Sequence, residues 1–146
     1  MSTPSHKHPD FDLLLGALLP FAEECLKKQG TFLPFAAVTS PDRKVELVAA
    51  HPGEETPGAH KVLDFLNGSL RSMAQARKCR AVGICADALF AKSSGDPKKD
   101  AISVFLEHQE GNVVTVYRPY SKGWFGKVSY HNLVAVAAEP RIFAAA

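Results

Sequence analysis

The strongest constraint on this chain is a pair of alternating segments, residues 101–109 and 113–120, hinged on Glu110-Gly111-Asn112. Apolar and polar residues alternating with period two fit a strand with two unlike faces. A short turn containing Gly and Asn between two such segments makes them an antiparallel hairpin. A three-residue turn at 110–112 sets the register. Ile102, Val104 and Leu106 then share a face with Val114 and Val116, and Ser103, Phe105 and Glu107 share the other with Thr115 and Tyr117.

Upstream the period changes. Asp10 is placed to cap a helix whose apolar positions are Leu14, Leu15, Leu18, Phe21, Ala22, Cys25 and Leu26. Gly30 ends it behind Lys27 and Lys28, and Pro20 is expected to kink or split it. Segments 31–39 and 45–50 read as strands joined by the turn Ser40-Pro41-Asp42-Arg43-Lys44, with a bulge or open side at Pro34. A second helix is expected over 57–78, with Val62, Leu66, Leu70, Met73 and Ala76 on one stripe. Segment 80–90 is a third strand, with Val82, Ile84, Ala86 and Ala88 facing one way and Gly83, Cys85 and Asp87 the other. After the polar connector 91–100 and the hairpin, one more strand is expected around 128–136, and Ile142-Phe143 is expected to tuck against the body.

Short links between strands favour hairpins. The expected fold is therefore α+β, with a mostly antiparallel sheet of five to six strands and both main helices packed on one face, in the order α-β-β-α-β-β-β. Residues 1–9 form a flexible arm and 10–146 a single domain. This order resembles the profilin-like scaffold shared by roadblock and longin domains. Four short blocks, Phe32-Leu33-Pro34-Phe35-Ala36, Lys99-Asp100-Ala101-Ile102, Leu106-Glu107-His108 and Glu139-Pro140-Arg141-Ile142-Phe143, resemble an uncharacterised bacterial protein family. That resemblance implies a bacterial cytoplasmic protein and brings no activity with it.

Composition removes several function classes. A net charge of +2 makes no strong case for nucleic acid or an anionic membrane. No apolar run approaches the roughly 20 residues of a membrane span. Asp10, Asp12 and Glu23-Glu24 around the apolar segment 11–22 argue against a secretory signal. Cys25, Cys79 and Cys85 lack the spacing of a zinc or redox motif and fit a reducing cytoplasm.

The expected functional surface is the outward layer of the sheet. Phe105 and Tyr117 lie on it, and Cys85 and Asp87 are expected to join them from the third strand. Asp87 and Glu107 are the weak catalytic candidates, an acid/base pair with His108 or His131 in support. Phe105, Tyr117, Trp124 and Arg118 are the binding candidates, since aromatic residues and Arg are the usual anchors of interfaces. Lys98, Lys99, Arg118, Lys122 and Lys127 are expected around Trp124-Phe125. Cys85 has no base to activate it, and Cys25 reads as core. His6 and His8 fall in the arm. His51, Glu54, Glu55 and His60 form a loop cluster without metal-ligand spacing, so no metal and no cofactor are expected. The leading expectation is a non-enzymatic protein-interaction module that forms a homodimer. The alternatives are a small-molecule sensor with a pocket roofed by Trp124 and a small metal-dependent hydrolase using the sheet carboxylates.

Overall fold

A computed structural model describes residues 4–49 and 58–143. The elements run α1 (Pro9–Gln29), β1 (Phe35–Thr39), β2 (Val45–Val48), α2 (Ala59–Gln75), β3 (Ala81–Phe90), β4 (Lys99–His108), β5 (Val113–Lys122), β6 (Val128–Tyr130) and β7 (Val134–Ala137), with one 3-10 turn at Trp124–Gly126 before β6. The α+β class and the antiparallel sheet are as expected. The sheet has seven strands in the order β2-β1-β3-β4-β5-β6, with β7 also on β5. The hairpin register holds, since Leu106 faces Val114 and Val104 faces Val116.

The helices do not share a face. Phe11, Leu14, Leu18 and Leu26 of α1 pack on Ala37, Cys85, Ile102, Val104 and Leu106. Val62, Leu66 and Leu70 of α2 pack on Ala36, Val38, Val82, Ile84 and Phe105. Neighbouring residues of one strand point to opposite sides, so Ala36 and Ala37 belong to different cores. The central strands β1 and β3 are therefore covered twice, which is why both are apolar without strict alternation. Gly83 lets α1 come close. A Cβ there would stand 2.6 Å from Leu18 Cδ1, and Leu18 is fully buried.

The helix ends also differ from expectation. His8, not Asp10, caps α1: its Nδ1 accepts the Asp10 N–H at 3.1 Å, and Pro9 takes the first helical position. Pro20 lies inside one continuous helix. It is exposed, and the glycine four residues earlier, Gly16, puts no side chain on that surface. Gly30, left-handed at φ 77°, closes α1 by bonding back to Leu26 O.

β1 starts directly after Pro34, which cannot donate to the ladder. The single strand expected around 128–136 is two strands, β6 on 120–122 and β7 on 114–117. Between them β5 carries Pro119, whose carbonyl accepts the His131 N–H at 2.9 Å. The tail does tuck in: Ile142 is fully buried in the α2-side core. Among the described residues, no helix is long and apolar enough to cross a membrane.

Candidate functional site

Asp87 and Glu107 are not brought together. In the β3–β4 register Asp87 faces Ile102, whereas Glu107 faces Val82. Asp87 therefore lies on the α1 side and Glu107 on the α2 side. Each already has an occupation. Glu107 is buried and accepts three backbone N–H groups, from Arg141 (2.7 Å), Ile142 (2.9 Å) and Phe143 (2.9 Å). It is the anchor of the C-terminal tail. Asp87 accepts the Tyr120 hydroxyl at 2.7 Å and the Thr31 hydroxyl at 3.4 Å. Burial pushes the Tyr120 phenol up, and the Asp87 bond and charge push it further, so it stays a donor. A hydrolase built on a carboxylate pair has no pair here.

The expected aromatic surface divides too. Phe105 is buried under the tail, with the Arg141 guanidinium 4.4 Å from its ring centre. Tyr117 is half-buried and stacks on Phe90 at 4.5 Å. Arg118 faces Ile102 and so lies on the α1 side. Trp124 is 87% exposed at the tip between β5 and β6, so it roofs nothing. The basic residues disperse likewise. Lys122 Nζ donates to Gly30 O at 2.6 Å, Lys127 lines a cleft beside Phe125, and Lys99 lines a different cleft.

Cys85 is fully buried beneath α1, not outward, and burial pushes its thiol up, with Cys25 and Asp87 adding to the effect. Burial likewise pushes the Cys79 thiol up to about 11. Neither has thiolate character. His51, Glu54 and Glu55 lie outside the described residues, and His60 is exposed beside Asp64 at 3.8 Å.

One cluster was not foreseen. His8, Asp10 and His108 place their ligand atoms within 4.8 Å of one another, a possible metal set by residue type. Its hydrogen bonds point elsewhere. His108 Nδ1 accepts the Glu110 N–H at 3.1 Å, so Nε2 carries the proton and donates to Asp10 Oδ2 at 2.6 Å. His8 Nδ1 is likewise occupied by a backbone N–H. A metal-binding imidazole donates through its second nitrogen; here both second nitrogens accept. Arg80 Nε, 3.3 Å from Asp10 Oδ2, already supplies the positive charge. Burial pushes the Asp10 carboxyl up, but the His108 bond and the Arg80 charge outweigh it, and the net shift is down. The cluster fastens the start of α1 to the end of β4. Its sequence signal was the polar residues His8 and Asp10 framing Pro9 directly before an apolar helix.

Among the described residues, exposed side chains border clefts at two places that bear on binding. At the tip, Trp124 and Phe125 are exposed, and Phe125 sits at φ 58°, ψ 31°. A cleft of about 620 Å³ lies between that tip and α1, bounded by Pro20, Glu23, Glu24 and Tyr130. A second cleft, of about 950 Å³, opens where the far ends of β3, β4 and β5 meet the turn before β7. The chain matches no family model, no curated protein and no solved structure.

Proposed function

We propose that this chain is a non-enzymatic interaction module of the bacterial cytoplasm that pairs with a second copy of itself through the β5–β6 tip. The observation that carries the reading is Phe125, 104% exposed and held in the left-handed backbone region. A non-glycine residue pays about 1–2 kcal/mol for that conformation. Two backbone hydrogen bonds, Gly123 N–H to Lys127 O and Lys127 N–H to Trp124 O, close the turn, but the ring itself is left in water, and such strain collects where a side chain is presented for use.

Self-pairing is favoured by what flanks the ring. The tip carries Lys127, and the adjoining surface of α1 carries Glu23, Glu24 and Lys27, with Glu24 already paired to Lys28 and Glu23 left to meet a cation. Across a two-fold axis the same patch meets itself. Lys127 of each copy then faces the partner's Glu23 while Phe125 enters the partner's cleft. Four aromatic rings, two per copy, at about 2 kcal/mol each give a gross gain near 8 kcal/mol. Association costs about 4–15 kcal/mol, so the rings leave at most about 4 kcal/mol net and the expected dimer is weak, with a Kd of millimolar order.

Light scattering over a concentration series tests this. The native chain should rise above its monomer mass of 15.8 kDa, and a Trp124→Ser/Phe125→Ser variant should not. A native chain that stays monomeric up to about 1 mM, or a variant that pairs equally well, removes the reading.

A further inference from the structure

We infer that the 950 Å³ cleft at the far end of the sheet is a binding site for a nucleoside phosphate. The cleft is of the size that takes one small ligand, between about 300 and 1,000 Å³. Its lining has two chemistries. Phe90, Pro97, Pro119 and Leu133 contribute apolar surface, and Phe90 is braced by its stack on Tyr117, with ring planes 20° apart. A braced aromatic in an apolar recess is a platform for a flat ring.

The charged lining is mostly positive. Lys92 and Lys99 stand against the single carboxylate of Asp96, with the His131 imidazole beside them as a hydrogen-bonding group. Among the described residues neither lysine is ion-paired. Four other cations have work within the fold: Arg80 on Asp10, Lys122 on Gly30 O, Arg71 on Arg141 O, Arg141 over Phe105. Two unpaired ammonium groups beside an aromatic recess fit a ligand that is flat at one end and anionic at the other. Asn132 also lines the cleft and offers both a donor and an acceptor to a base edge. A nucleic-acid strand is the poorer fit, because strand-binding grooves continue their positive charge over many nucleotides and this chain carries only +2. The inference does not rest on the tip or on dimerisation.

Isothermal titration of the full chain with adenosine and guanosine monophosphates tests it, with adenosine, inorganic phosphate and a short single-stranded oligonucleotide as separate arms. At least one monophosphate should bind, about tenfold or more tighter than adenosine or phosphate alone, and more weakly as salt rises. Lys92→Ala and Lys99→Ala should each weaken it about tenfold, and Phe90→Leu, which keeps an apolar core, should weaken it while the unfolding midpoint stays near native. Four results would overturn the assignment: no monophosphate binding up to about 1 mM, phosphate binding as tightly as the nucleotide, binding by the oligonucleotide alone, or native affinity in both lysine variants.

Discussion

The two ends of strands β3 and β4 are built from similar residues and treated in opposite ways. At the end formed by Ala81 and His108, the chain consumes its own polar groups. Asp10 takes His108 and Arg80, and Glu107 takes the backbone of the tail. At the end formed by Phe90 and Lys99, lysines, aromatics and a histidine border an open cleft, and the adjoining tip leaves Trp124 and Phe125 in water. The cluster that most resembles a catalytic set by residue type is thus one whose main bonds lie inside the fold, His108 and Arg80 both on Asp10 Oδ2, with Asp10 Oδ1 left without a hydrogen bond. The open end is where polar and aromatic groups border a cleft.

Substitution should separate the two ends. The largest effect is expected from Glu107→Ala. It strands three buried or half-buried N–H groups and frees the tail that seats Ile142, costing about 3–4 kcal/mol in urea unfolding. Asp10→Asn should cost about 2–3 kcal/mol, since it leaves Arg80 without its counter-charge. It should also flatten the acid limb. The folded Asp10 carboxyl lies below its ordinary value of 3.8. Its contribution is complete at neutral pH and is lost as the pH falls below 3.8 through the folded value. Native protein should therefore lose stability more steeply in acid than Asp10→Asn. At the open end, Trp124→Ser/Phe125→Ser should leave stability within about 0.5 kcal/mol of native. Phe125→Gly should raise it slightly, by about 0.5 kcal/mol, as left-handed strain is relieved. A large loss of stability from the tip variants, or none from Glu107→Ala, would break the contrast.

The sequence carried the hairpin well, because Ile102 to Leu106 and Val114 to Val116 alternate cleanly and one turn fixes their pairing. It carried the front of the α2 stripe through the three-to-four spacing of Val62, Leu66 and Leu70, which are buried, whereas Ala76 lies past the helix end and is exposed. The sides of the sheet were harder. Ala36-Ala37-Val38 and Val82-Gly83-Ile84 are apolar on both parities, which marks strands covered twice, yet an open face was expected. That error put Asp87 beside Glu107 and Phe105 in water. The Asp10–His108 contact joins residues 98 apart in sequence, and Glu107 finds the tail 34 to 36 residues on. No local period encodes such pairs. Trp124-Phe125 was legible as unusual because two glycines flank it, but its exposure belongs to the tertiary structure.

The most direct measurement is amide hydrogen exchange at low and high protein concentration, read by segment. Pairing through the tip should slow exchange at high concentration in residues 122–128 and in the cleft-facing stretch 20–27 of α1, while segments around His108 and 141–143 exchange alike at both. Concentration-dependent protection at the His108 end, or none anywhere, would contradict the division between a self-satisfied end and a binding end.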